Sequence, residues 1–167
     1  MPRVVSDSST LIHLTAIRKL DLLRDYYGSI TVPTAVWREV VLEGEGRPGS
    51  IDIKQAHEDG WIKIAEPDDQ ALLRLLKQEL HEGEAEAITL ALEIQADLLL
   101  LDESDARKVA ELYQLPKTGV VGLLLRAKSE GKISSLRQEL DRLRTEGGFW
   151  ISEELYWQVL TSIGEHE

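Results

Sequence analysis

The sequence predicts an α/β domain: a mainly parallel sheet of four to five strands flanked by helices. Three observations point there. Short runs of β-branched or wholly apolar residues recur along the chain. Stretches with helical apolar periodicity fill the gaps between them. Each strand-like run is followed by a helix rather than by another strand. Length and composition suit one such domain, since 167 residues with 43% hydrophobic content can bury a sizeable core. No internal repeat and no long linker breaks the pattern.

Taken in order, Arg3-Val4-Val5-Ser6 reads as a short buried strand that ends at Asp7. Ser8 to Lys19 reads as helix, because Leu11, Leu14 and Ile17 recur at three-residue steps. A second helical turn, Leu20 to Tyr26, closes at Gly28, a residue suited to a C-cap. Ser29 to Val32 is strand, and Pro33-Thr34 opens a helix through Leu42, since proline favours a first helical turn. Glu43 to Ser50 is loop by composition. It holds a literal G-x-G-x-x-G at Gly44, Gly46 and Gly49, but a helix precedes it and Pro48 sits inside it, so it is no dinucleotide fingerprint. Ile51 to Asp59 is a short helix, then Trp61 to Ile64 a strand. Asp68 to Leu80 and Gly83 to Gln95 are helical, the first amphipathic and the second rich in alanine. Leu98 to Leu101 is an all-apolar strand ending at Asp102. Ser104 to Tyr113 is helix, Leu115 to Thr118 a last short strand, and Gly119 to Ser129, Leu136 to Arg144 and Glu153 to Ile163 are helices.

Composition removes whole classes of chemistry. The absence of cysteine excludes a disulfide framework, thiolate zinc sites and cysteine nucleophiles. The four histidines, His13, His57, His81 and His166, show no zinc spacing, and His13 lies beside an apolar helix face where a structural role is expected. There is no P-loop, and Ser8-Ser9 has no evident histidine base. No apolar run is long enough to span a bilayer, and Asp7 interrupts the only apolar stretch near the N-terminus, so a soluble cytoplasmic protein with no membrane partner is expected. A formal charge of −11 argues against a general nucleic-acid coat. The charge is uneven, however. The window 105–145 holds nine basic and five acidic residues, while the remainder holds ten basic and 25 acidic. Solvated helix faces account for much of that pattern.

In open parallel sheets the functional crevice lies beyond the carboxyl ends of the strands. Asp7 and Asp102 each end a strand there, Glu84 opens the alanine-rich helix, and Glu39 projects from the helix after the second strand. Each acid has a local explanation. Asp7 can cap the helix that follows, Glu84 can complement a helix dipole, and Glu39 can pair with Arg38 on the surface. Four acids arriving at one sheet edge nonetheless point to a site for a hard divalent cation, Mg²⁺ or Mn²⁺, which prefers carboxylate and water oxygens.

At these residues the sequence resembles PIN-domain nucleases, the fold of VapC-like toxins in prokaryotic toxin–antitoxin pairs. It is similar to a PIN-like branch of uncharacterised proteins often described only as nucleic-acid-binding. The segments that carry the likeness are VVSDSSTLIHLTAIRKLDLL (4–23), ITVPTAVWREVV (30–41), EGEAEAITLALE (82–93), LLLLDESDARKVAELYQLPKTGVVGLLLRAKSEGKI (98–133) and GGFWISEELYWQVL (147–160). They cover most of the chain in the family's order; no single motif is highly specific, but the ordered set is.

The resemblance implies a three-layer PIN-like fold in one domain, with a core over 1–133 and a C-terminal helical extension over 134–167. It implies that Asp7, Glu39, Glu84 and Asp102 hold Mg²⁺ or Mn²⁺ and are the catalytic acids. Family members typically carry Asp where this chain has Glu84, which reaches one methylene further and alters ligand geometry. Ser9 matches a small hydroxyl residue that supports the first acid, and Asp105 is a secondary candidate. The expected activity is endoribonuclease: a water activated by the cation attacks a phosphodiester of single-stranded or looped RNA. Arg107, Lys108, Arg126 and Lys128 would guide the backbone. The toxin likeness adds an antitoxin-like protein partner and a homodimer. A reading of a different class stands beside it: a catalytically inactive PIN-like module that binds protein or nucleic acid, with Trp37, Trp61, Trp150 and Trp157 as candidate interface anchors, although core packing is the expected fate of most of the four.

Overall fold

The computed structural model describes residues 2–165; Met1 and the last two residues of the predicted extension, His166 and Glu167, lie outside them. Five strands form one all-parallel sheet in the order β3-β2-β1-β4-β5, with β1 (Val4–Ser6), β2 (Ile30–Pro33), β3 (Ile62–Ala65), β4 (Leu98–Leu100) and β5 (Lys117–Thr118). The predicted α/β class and parallel sheet are what the chain adopts. Val5 pairs with Thr31 on one side and with Leu99 on the other, so β1 is the central strand.

Alternation along the strands decides which helices cover which face. Val4 and Leu100 pack with α1 (Ser8–Ala16), α2 (Asp21–Tyr27), α4 (Pro48–Glu58), α8 (Val120–Ser129), α9 (Leu136–Glu146) and α10 (Glu153–Ser162). Val5, Leu99 and Leu101 pack with α5 (Gln70–Leu76), α6 (Glu82–Glu93) and α7 (Ser104–Leu112) on the other face. A wholly apolar strand such as Leu98–Leu100 is what burial on both faces demands. Leu136, Leu140, Leu143, Tyr156 and Leu160 are all buried in the first cluster, so α9 and α10 share the core of the strands.

Several element ends differ from the sequence expectation. The first helix stops at Ala16 rather than Lys19, because Arg18 takes a left-handed conformation with φ of 60°. The predicted C-cap at Gly28 is present, with φ of 77° and its N–H donating to the Arg24 carbonyl. The loop after the third helix is shorter than predicted, because Pro48 starts α4 within the stretch read as loop. The helix from Pro33 to Leu42 is continuous but not uniform. A regular α3 (Thr34–Trp37) widens into a π-helical turn (Arg38–Leu42), closed by the Glu43 N–H donating to the Arg38 carbonyl at 2.8 Å. Such turns often occur at functional positions, and this one carries Glu39.

Candidate active site

The sheet order reverses its direction of growth at β1, which has β2 on one side and β4 on the other. The carboxyl ends at such a reversal diverge and leave a crevice. Asp7 directly follows β1, and its N–H donates to the Leu100 carbonyl at 3.0 Å. Asp102 lies just past β4, after Leu101, whose N–H donates to Thr118 at 2.8 Å. Strand hydrogen bonding therefore runs up to both acids and fixes their backbones at the rim.

Asp7 is 1% exposed. One oxygen, Oδ1, accepts the Thr10 N–H at 2.9 Å and so caps α1; the other, Oδ2, accepts the Asp102 N–H at 3.1 Å and so ties the ends of β1 and β4 together. Burial pushes the carboxyl up to about 7, and the nearby charge of Asp102 adds to the effect, against the two N–H donors. Asp102 has both oxygens engaged as well. Oδ1 accepts the Val120 N–H at 2.9 Å, at the first turn of α8, and Oδ2 lies 3.0 Å from His13 Nδ1. Gly119 makes that docking sterically possible, since a Cβ there would collide with Asp102 Oδ1. His13 thus contacts a predicted site acid from the helix after β1, and its ring meets Phe149 edge-on at 4.9 Å.

A cleft of about 260 Å³ opens at this edge, lined by the acids Asp7, Glu39, Glu84 and Glu103 together with Ser8 and Ser9. Glu39 reaches it from the π-helical turn, where its Oε2 accepts the Ser8 hydroxyl at 2.6 Å. Gly83 sits against that pair; a Cβ there would lie 3.4 Å from both Glu39 Oε2 and Ser8 Oγ. Glu84 is half-buried in the first turn of α6 and accepts the His81 N–H at 3.2 Å. Burial pushes its carboxyl up, opposed by that N–H and reinforced by the charges of Glu103 and Asp105.

Of the four predicted ligands, Asp7, Glu39 and Glu84 therefore line one cleft, while Asp102 adjoins Asp7 but does not line it. Glu103 does line it and is not among the predicted acids. Its signal is only its position, one residue past the strand-ending acid. The Ser9 hydroxyl donates to Glu103 at 3.4 Å, and the Asp7 carboxylate accepts backbone N–H groups. Asp105 stays exposed in the first turn of α7.

The four basic residues expected to guide a strand are scattered. Arg107 is turned inward, donating to the Leu101 carbonyl at 3.0 Å. Arg126 is held by Glu130 at 2.6 Å and stacks over Tyr26 at 4.0 Å, and Lys128 donates to the Ser134 carbonyl at 2.6 Å. Both lie towards the end of α8 opposite Asp102, on the order of 10 Å along the axis at 1.5 Å per residue. Only Lys108 is exposed with no hydrogen bond or ion pair among the described residues.

Among the described residues no three His, Asp or Glu side chains enclose a ready-made ion cage. The donor chemistry nevertheless fits a hard cation. Four carboxylates line the cleft, with His81 beside them, and the buried Asp7 carboxyl has no cationic side chain paired with it. Mg²⁺ keeps several waters and takes one or two carboxylates plus substrate oxygens, so it does not need a closed protein cage. Among the described residues, no helix is long and apolar enough to cross a membrane.

No curated protein matches the chain. A family profile does: that of DUF3368, described as a PIN domain, over residues 3–165. The match spans nearly the whole sequence, including both strand-ending acids, the π-helical turn with Glu39 and the two C-terminal helices. With its parallel sheet and the acids at that sheet's carboxyl edge, the chain belongs to the PIN-domain family, a nuclease-type family.

Proposed function

We propose that this protein is a Mg²⁺- or Mn²⁺-dependent endoribonuclease. The observation that carries the reading is the convergence of Asp7, Glu39 and Glu84 on one cleft at the sheet's reversal point. Asp7, Glu39, Glu84 and Asp102 are the proposed catalytic acids, with Glu103 added from the geometry. A bound divalent cation would supply charge neutralisation at the phosphate and a water of lowered pKa.

The chain's own groups supply the rest. Asp7 is held in one orientation by two N–H donors, one on each oxygen. Ser8 holds Glu39 in place through a short hydrogen bond. His13 and the Val120 N–H fix Asp102 beside Asp7, where its charge raises the affinity of the site for a cation. The cleft is small, about 260 Å³, which favours a single or looped strand over a duplex. Family kinship further suggests a toxin-like role in the cytoplasm, with an antitoxin-like protein partner and a homodimer.

The test is cleavage of a panel of RNAs by purified protein. Cleavage should require Mg²⁺ or Mn²⁺, stop with EDTA, and fall on the order of 100-fold or more in Asp7→Asn. Asp7→Asn cutting as fast as the parent sinks the site assignment. One observation favours the second reading, an inactive binding module: as the side chains lie, no three acids form a cage. Calorimetry showing no Mn²⁺ binding would select that reading.

A further inference from the structure

Glu39 borders two cavities. One is the acid cleft; the other is a groove of about 500 Å³ along the seam between α1 and α4, whose apolar wall includes Ile12, Val40 and Ile53. The groove lies where α4 presses closely on α1: a Cβ on Gly49 would come within 2.6 Å of Thr15 Oγ1. Two arginines border it, Arg18 and Arg47. Both are exposed, and neither side chain has a hydrogen bond or ion pair among the described residues. This contrasts with Arg107 and Arg126, which are bound by their own chain. A further cavity of about 560 Å³ continues the path, sharing Arg18 and adding Arg24, which is likewise exposed and unpaired among the described residues.

Arg18 also sits at an unfavourable place for its type. It follows α1 with φ of 60°, the left-handed position that glycine or asparagine fills at lower conformational cost. Gln95 and Gln114 take the same left-handed position after α6 and α7, so what sets Arg18 apart is not the turn but a free guanidinium bordering a groove.

Resting on the nuclease reading, we infer that a single RNA strand leaves the acid cleft past Glu39 and runs along the α1–α4 seam, its phosphates held by Arg47, Arg18 and then Arg24. A guanidinium matches a phosphate in a two-pronged geometry that a solvated lysine does not. The apolar wall offers a splayed base a surface to lie on. Asp52 and Glu146 also face the groove, and Asp21 and Asp59 join Asp52 in lining the further cavity, so the strand is gripped at separate points rather than by a continuous positive field. That is how a protein of charge −11 can hold RNA locally without coating it.

The test measures binding rather than turnover. Full-length protein is titrated against a fluorescein-labelled, mixed-sequence single-stranded oligoribonucleotide in EDTA, with fluorescence anisotropy as readout. Arg18→Gln and Arg47→Gln should each weaken binding about three- to tenfold, and together should lower the salt dependence by about 0.7 per lost contact. Arg74→Gln removes the same charge from exposed α5 on the opposite face and should leave binding unchanged. Melting temperatures should match the parent throughout, because all three side chains are exposed. A double variant that binds like the parent overturns the proposal, as does an equal loss in Arg74→Gln. Cleavage in Mg²⁺ separates the two readings. If the parent cuts RNA and the double variant binds and cuts as well, the track is wrong and the nuclease stands. If binding follows the arginines but nothing is cut, the track stands and the nuclease falls. If the parent neither binds nor cuts, both fall.

Discussion

A carboxylate buried at the end of a central strand can remain there only if something offsets its desolvation. At Asp7 two backbone N–H groups do part of this, and the remainder appears as a pKa pushed up to about 7. The sign of the stability effect follows. The folded pKa lies above the unfolded value, so the contribution is fully present below about pH 4 and is lost as pH rises through 7. Metal-free protein should therefore lose stability between pH 5 and pH 8, by on the order of a few kcal/mol from this residue. Urea titrations at those two pH values should show a smaller loss in Asp7→Asn, whatever constant cost the substitution adds. An equal loss in both proteins removes Asp7 as the source. Saturating Mg²⁺ should flatten the parent's loss, because a cation favours the ionised form.

At the level of elements, the acids are placed by how elements end. Asp7 terminates β1 and caps α1; Asp102 terminates the β4 segment and meets the first N–H of α8; Glu84 sits in the first turn of α6; Glu39 rides on the π-helical turn. The junction of β5 and α8 is the tightest of these, since Gly119 has no room for a side chain beside Asp102. Gly119→Ala should cost about 1–3 kcal/mol, as overpacking of a close contact does. It should also weaken Mn²⁺ binding by calorimetry by displacing Asp102 from His13. A substitution that changes neither would show that this contact can relax freely.

For the whole molecule, the C-terminal helices are part of the core rather than an appendage. Leu140 is fully buried among α1 and α8 side chains, and Phe149 reaches the ring of His13. Leu140→Ala should cost about 2–5 kcal/mol, as truncation of a buried leucine does, read by urea unfolding. A chain cut after residue 133 should fail to fold cooperatively by circular dichroism, since it would expose the apolar faces of α1 and α8. A cooperative melt of that fragment would instead make the extension a dispensable tail.

Local pattern was enough for much of this. A strand of leucines, a helix of alanines and a proline at a helix start are statements about neighbours in sequence, so the α/β class, the parallel sheet and the acids ending β1 and β4 could be read directly. Asp7 and Glu84 were legible as candidates because they lie where elements end or begin, and Glu39 because it projects from the helix after β2. What the sequence could not carry is direction. Whether Asp102 turns to His13 and Val120, whether Glu103 lines the cleft, and whether Arg18 is free while Arg126 is tied to Glu130 depend on residues tens of positions apart or on local geometry that composition does not encode. The sequence by itself determined which elements form, in what order, and which acids stand beside them, but not every element's end. Only the tertiary structure decided which of those charges share a cleft and which are bound by their own chain, because side-chain partners are chosen by packing across elements, not by order along the chain.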